Sequence, residues 1–316
     1  MTTAPPQART HARTSTRPRA LPTSPCTPAC AADPGPTVDA ATRRRRALRL
    51  AGALAGVAVA ALRAPLAGTR GRRRLLTCAS ARVLTAAGVR VAVTSSPVAW
   101  PRTGANRGPG LLVVSNSVSW VDDLALLTVV PGLPVATTGL GGRPVLGGLL
   151  RRAGAVLVDP ARPRSLPVAV GQVADALRGG ATVSVHPEGA TSCGVELGRF
   201  SPAFLQAAVD AAAPVCPVAI RYRVDGGAGT AVAGQPAGEP FLRSLARVLA
   251  ARGLVVEVHL LPALDPAGAD RHELAALAEY AVAAVTEARP PLVAAHPRRP
   301  RVPAPVQLHR GTVRAA

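Results

Sequence analysis

Two short stretches of this chain hold residue types able to move a proton and to grip an anion. The first is Val113–Leu127, VVSNSVSWVDDLALL. Asn116, Ser117 and Ser119 are turn and helix-capping types, and Asp122 and Asp123 follow where a first helical turn favours acids. The second is Thr182–Gly194, TVSVHPEGATSCG, a β-branched run that ends at His186-Pro187-Glu188-Gly189. A glycine lets backbone approach a ligand closely, and free amides beside it can hold an anionic group. Taking a proton from a hydroxyl near neutral pH needs an acceptor with a pKa of about 6–7, the range of histidine. Ser117 cannot be that acceptor, because its own proton is held far too tightly, and as a nucleophile it would itself need a base. His186 is the one nearby candidate: in extended chain it points to the same side as Glu188, two residues on. Blander readings stand beside these. Pro-Glu-Gly is a common surface turn, and His186 also reads as a ring filling an apolar slot at a strand end. His259 lies in an apolar run and reads as core, while His11, His272, His296 and His309 show no partner pattern.

The elements that must position these residues alternate along the chain. Strand-like runs are Val91–Val93, Leu111–Ser115, Val135–Thr137, Ala155–Val158, Thr182–His186, Val215–Tyr222 and Val255–Leu261. Helix-like runs are Asp122–Val130, Val145–Ala153, Leu166–Arg178, Pro202–Ala212, Pro240–Ala251 and Arg271–Glu287. Such alternation implies an α/β fold with a mixed, largely parallel sheet flanked by helices. A strand feeding a helix through polar residues is where these folds place their chemistry. Asp225–Gly238, full of Gly and Ala, reads as a loop.

Outside this region the composition changes. Residues 1–42, rich in Pro, Thr, Ala and Arg without apolar period, read as disordered. Residues 43–90 read as a helical membrane-association region: Arg43–Arg46, the apolar run Leu50–Leu62 and a basic cluster at Arg70, Arg72, Arg73 and Arg74. The run Leu50–Leu62 reaches about 20 Å as a helix, short of a hydrocarbon core of about 30 Å, and it is basic on both flanks. It therefore reads as an in-plane or re-entrant anchor, with a signal peptide and a core helix as the other readings. Residues 91–289 form the remaining domain, and 290–316 a basic Pro/Arg-rich tail.

The chain has 316 residues, a formal charge of +20, no lysine and 48% hydrophobic residues. A basic balance favours anionic partners, a membrane surface before nucleic acid, because aromatics for base stacking make up only 2%. Cys26, Cys30, Cys78, Cys193 and Cys216 are odd in number and scattered. They show no disulfide framework and no metal-ligand spacing, which suits a reducing compartment.

Asn116-Ser117-Val118-Ser119-Trp120-Val121-Asp122 resembles the first signature, Asn-His-x-x-x-x-Asp, of the glycerolipid acyltransferases, the lysophosphatidic acid acyltransferase family. Ser117 stands where that signature has histidine. His186-Pro187-Glu188-Gly189-Ala190 resembles the family's Phe-Pro-Glu-Gly-Thr, about 70 residues on. Gly154–Arg162 resembles the strand signature ending in Asp-Arg, with Pro160 at the arginine position and Arg162 or Arg164 able to take its part. Val215-Cys216-Pro217-Val218-Ala219-Ile220 resembles the fourth, an apolar strand with a central proline.

The resemblance implies acyl transfer from a thioester, on coenzyme A or acyl carrier protein, to the hydroxyl of 1-acyl-glycerol-3-phosphate or of another acceptor such as lyso-ornithine lipid. It implies no metal and no cofactor beyond that co-substrate. Asn116, Ser117 and Asp122 occupy the catalytic positions, with His186 as the substitute imidazole. Glu188, Gly189 and Arg162 would hold the acceptor's phosphate. The expected partners are a lysophospholipid, an acyl thioester and a membrane surface, with the protein peripheral or monotopic on the cytoplasmic face of the cell membrane and no nucleic acid involved. Besides Ser117 and Pro160, Ala190, Cys193, Thr138 and Gly139 depart from the family pattern. A catalytically impaired relative that binds lipid or acyl thioester is the rival reading.

Overall fold

The structure, a computed structural model, describes residues 26–31, 35–63, 68–96, 98–101, 108–137, 154–159, 162–224, 227, 229–236 and 238–286. Seven strands form one sheet: β1 Arg90–Ser95, β2 Leu112–Ser115, β3 Leu133–Thr137, β4 Val156–Val158, β5 Val183–Val185, β6 Val215–Arg223 and β7 Val255–Leu260. Their spatial order is β1-β7-β6-β2-β5-β3-β4. Strands β6, β2, β5, β3 and β4 all run the same way, and β7, antiparallel to β6, carries β1 in the opposite sense. The mixed, largely parallel sheet expected from the alternation is the one observed.

The helices among the described residues are α1 Ala40–Arg63, α2 Thr69–Ala87, α3 Trp120–Val129, α4 Leu166–Arg178, α5 Leu205–Ala211, α6 Phe241–Ala250 and α7 Arg271–Thr286. One face of the sheet is covered by α1, α2, α3 and α6 through Leu50, Leu84, Val121, Leu126 and Val248. The other is covered by α4, α5 and α7 through Val173, Leu177, Leu205 and Leu274. Strand β2 shows why its sequence is an unbroken apolar run. Val113 faces the first layer, Leu112 and Val114 the second, so both sides of the pleat are buried.

One expectation changes. The stretch 1–42 reads as disordered, yet its described parts pack on the domain. Val38 N–H donates to the Ala250 carbonyl at 2.8 Å and Arg252 N–H to the Pro36 carbonyl at 2.8 Å. Asp39 caps α1, accepting from the Thr42 amide at 2.8 Å, so the helix starts three residues before the boundary placed at 43. No helix among the described residues is long and apolar enough to cross a membrane. Helix α1 instead buries one stripe, Leu50, Ala53 and Val57, while Leu48, Leu54 and Val59 stay at least half exposed. Arg46 ties it to α6, donating to the carbonyls of Leu249 at 3.1 Å and Ala251 at 2.7 Å. The helix expected over Val145–Ala153, the departures at Thr138, Gly139 and Pro160, and the tail from 290 lie outside the described residues.

Candidate active site

The C-terminal end of β2 stops at Ser115, while its neighbour β6 continues to Arg223. The next side chain carries the ladder onward. Asn116 donates from Nδ2 to the Ile220 carbonyl at 2.9 Å and accepts from the Ile220 amide on Oδ1 at 2.8 Å. A carboxamide offers the same donor and acceptor pair as a peptide, so Asn116 pairs with β6 as backbone would. The chain then turns away from the sheet, and Ser119 starts α3 by accepting from the Val121 amide at 3.3 Å.

Asp122 completes this turn from inside. Its Oδ2 accepts from the amides of Val118 at 2.6 Å and Ser119 at 2.7 Å, and its Oδ1 accepts from the Tyr222 hydroxyl. The carboxylate is fully buried. It therefore fixes the backbone around Ser117 through two amides, with its other oxygen on Tyr222.

The second stretch closes over the first from β5. After Val185 the chain presents His186, turns at Gly189 with φ +74°, and returns through Ser192. Gly189 is required there because a side chain disfavours that backbone. Glu188 is buried and bridges the two stretches, accepting from the Ser117 amide on Oε1 and from the Gly198 amide on Oε2, both at 2.6 Å. The Ser192 amide donates to the Ser117 carbonyl at 2.9 Å and its hydroxyl to the same oxygen at 3.2 Å. Both peptide groups flanking Ser117's Cα are thus held by the second stretch.

His186 lies against the end of β2. Its Nδ1 is 3.0 Å from the Ser115 hydroxyl and 3.1 Å from the Asn116 carbonyl, and its Nε2 is 3.1 Å from Asp123 Oδ1. The acid on the imidazole is thus Asp123. Successive helical residues point about 100° apart, so Asp122 turns inward to the backbone and Tyr222 while Asp123 turns towards β5.

Electrostatics sharpen these roles. Burial drives the Asp122 carboxyl up, and the His186 charge, the Tyr222 hydroxyl and two amides pull it back, leaving it at about 6. Burial likewise pushes Glu188 to about 7 against its two amide donors. For His186, burial opposes the cation. The hydrogen bond and charge of Asp123, the charge of Asp122 and the Asn116 carbonyl outweigh it, so the ring is pushed up to about 9. Tyr222, buried beside Asp122, is raised well above the ordinary phenol range and stays a hydroxyl donor.

Asn116, Ser117, Asp122, His186, Glu188 and Gly189 therefore meet at one end of the sheet. Glu188, with both oxygens engaged by amides, acts as a loop tie. Arg162 is apart from them, 81% exposed and 3.4 Å from Asp159. It follows β4, two strands from β5 at the same sheet end, and strands two apart lie roughly 10 Å from one another. Sequence reasoning missed the parts of Asp123, Ser115, Tyr222 and Gly198. Asp123 alone carried a signal, as an acid in the first turn of α3.

Comparisons with known proteins bear on the family and the fold. Residues 101–221 match the family model described as Acyltransferase. The chain is 34% identical over 181 residues to 1-acyl-sn-glycerol-3-phosphate acyltransferase of Neisseria gonorrhoeae, covering 56% of this chain and 69% of the relative. It is 32% identical over 172 residues to lyso-ornithine lipid O-acyltransferase of Pseudomonas aeruginosa, covering 54% and 66%. The fold resembles the crystal structure of the 1-acyl-sn-glycerophosphate (LPA) acyltransferase PlsC from Thermotoga maritima, with a TM-score of 0.56 and 22% identity over 78% of this chain and 96% of that one.

Proposed function

Because the chain belongs to the glycerolipid acyltransferase family, we propose that it moves an acyl group from coenzyme A or acyl carrier protein to the hydroxyl of 1-acyl-glycerol-3-phosphate, forming phosphatidic acid. The acceptor oxygen attacks the thioester carbonyl, the C–S bond breaks, and the thiol leaves with the proton taken from the hydroxyl. The observation that supports this most is the junction of the two stretches, where His186 lies within 3.1 Å of the Asn116 carbonyl and Glu188 within 2.6 Å of the Ser117 amide.

In this reading the His186 ring, oriented by Asp123, replaces the imidazole that Ser117 lacks. Asn116 and Asp122 hold the turn that carries Ser117. Glu188 fixes the loop, Gly189 lets its backbone approach the acceptor's phosphate, and Arg162 meets that phosphate from β4, since a guanidinium suits a phosphate's paired oxygens.

Helix α1 supplies the membrane contact. Its exposed Leu48, Leu54 and Val59 share the helix with exposed Arg43, Arg44 and Arg45, an arrangement suited to an anionic bilayer surface. The protein then sits in the plane of the cytoplasmic face of the cell membrane, where lysophospholipid is presented to the site.

The test is transfer of labelled acyl groups from acyl-CoA and from acyl carrier protein to several lysolipids. Labelled phosphatidic acid is the expected product. A preference for lyso-ornithine lipid, the acceptor in the name of the Pseudomonas relative, would reassign the acceptor. Lipid binding with no product from any acceptor would refute transfer and favour a non-catalytic lipid binder.

A further inference from the structure

Three of the five cysteines, Cys26 and Cys30 from the N-terminal segment and Cys193 from the loop after β5, converge behind the site described above. The Sγ atoms of Cys26, Cys30 and Cys193 all lie within 4.8 Å of one another. Cys26 and Cys193 are buried with their sulfurs 3.4 Å apart, and Cys30 is half-buried. The Cys193 amide also donates to the Cys26 sulfur at 3.4 Å. Cys26 precedes a short turn, Pro28–Ala31, that contains Cys30, and both thiols lie by Cys193 in the loop after β5.

From this geometry we propose that Cys26, Cys30 and Cys193 are the protein ligands of a zinc ion. Tetrahedral zinc bound at about 2.3 Å from sulfur spaces its thiolates about 3.8 Å apart, a spacing the cluster already approaches. The donor set is sulfur only, which suits a soft ion such as zinc and excludes magnesium or calcium. Binding exchanges three thiol protons for one Zn²⁺, and water fills the fourth position. A disulfide would join two of the three sulfurs and leave the third beside it without a role.

The ion would act as a brace. Cys193 follows Ser192, whose amide and hydroxyl grip the Ser117 carbonyl. The N-terminal turn at Cys26–Cys30 would then be pinned to the loop that holds Ser117. This proposal rests on the thiols alone and stands whether or not the chain transfers acyl groups.

Full-length protein, purified under reducing conditions without chelator, tests it by elemental analysis and thiol titration. About one zinc per chain is expected, with three thiols protected until a chelator is added. Cobalt(II) exchanged into the protein should show sulfur-to-cobalt charge-transfer absorption. C30S and C193S should lose at least nine-tenths of the zinc, while C78S, an exposed cysteine outside the cluster, should retain it. If the variants fail to fold, the cobalt spectrum of the unaltered protein decides the matter. Equal zinc in C30S, C193S and the parent would mark an adventitious ion only and overturn the proposal. A metal-free protein with a Cys26–Cys193 disulfide in its peptide map would overturn it too.

Discussion

Replacing Asp123 with Asn tests whether the His186 ring is the proton acceptor. Asp123 is the chief group holding that ring charged, at 3.1 Å, and the ring stands at about 9 against an ordinary 6.5. That difference corresponds to roughly 3 kcal/mol between the two protonation states. At pH 7 only about 1% of the rings are neutral, so transfer by the unaltered protein should climb tenfold per pH unit to a plateau near 9. Without the Asp123 hydrogen bond and charge, burial opposes what Asp122 and the Asn116 carbonyl still supply, and the ring should fall from about 9 towards its ordinary range. The plateau of D123N should then begin at lower pH. Its height should drop, because a less basic and less firmly oriented ring accepts a proton more slowly. The position of the rising limb is therefore the decisive quantity, since the rate at one pH mixes these effects. Single-turnover transfer from labelled acyl-CoA, corrected for thioester hydrolysis at each pH, measures it. Coincident limbs in D123N and the parent, or rates flat from pH 6 to 9, would refute the assignment.

Asn116→Ala should strand the buried amide and carbonyl of Ile220 and cost about 1–3 kcal/mol, read from the urea midpoint; an unchanged midpoint would deny that the side chain carries the ladder. Tyr222→Phe removes a donor to buried Asp122. It should destabilise more at pH 8, where Asp122 is ionised, than at pH 5, and equal losses would contradict the charge state given to Asp122. Stability itself should fall as pH rises. His186, raised to about 9, contributes fully below about 6.5 and loses that contribution through 9, while Asp122 and Glu188, raised to about 6 and 7, add declines at lower pH. H186Q should flatten the part between 6.5 and 9 in urea titrations.

Much of the architecture could be read from the chain because burial on both faces writes a strand as a plain apolar run. Leu111–Ser115 and Val215–Tyr222 are examples, and each lies within a residue of the observed strand. Helix α1 was harder. Its arginines look like a solvated flank, yet arginine and alanine favour helix, and the usable start signal was Asp39 at the cap position. At the site, the meeting of Asn116, Ser117, His186 and Glu188 followed from two family-like stretches. The pairing within them did not. Spacing in the signature points to Asp122 as the acid for an imidazole, but only the helical rotation at Trp120 shows that Asp123 faces β5. Tyr222, 100 residues beyond Asp122, and the three thiols gathered from Cys26, Cys30 and Cys193 depend on tertiary proximity that local pattern does not encode.

The central claim is that an imidazole from the second stretch replaces the one absent at position 117. Its most direct test is single-turnover acyl transfer at pH 9 by the unaltered protein and by H186Q, with acceptor binding measured alongside. A loss of about 10²–10⁴-fold in H186Q with acceptor binding intact is the predicted result. Transfer within threefold of the parent would contradict the account.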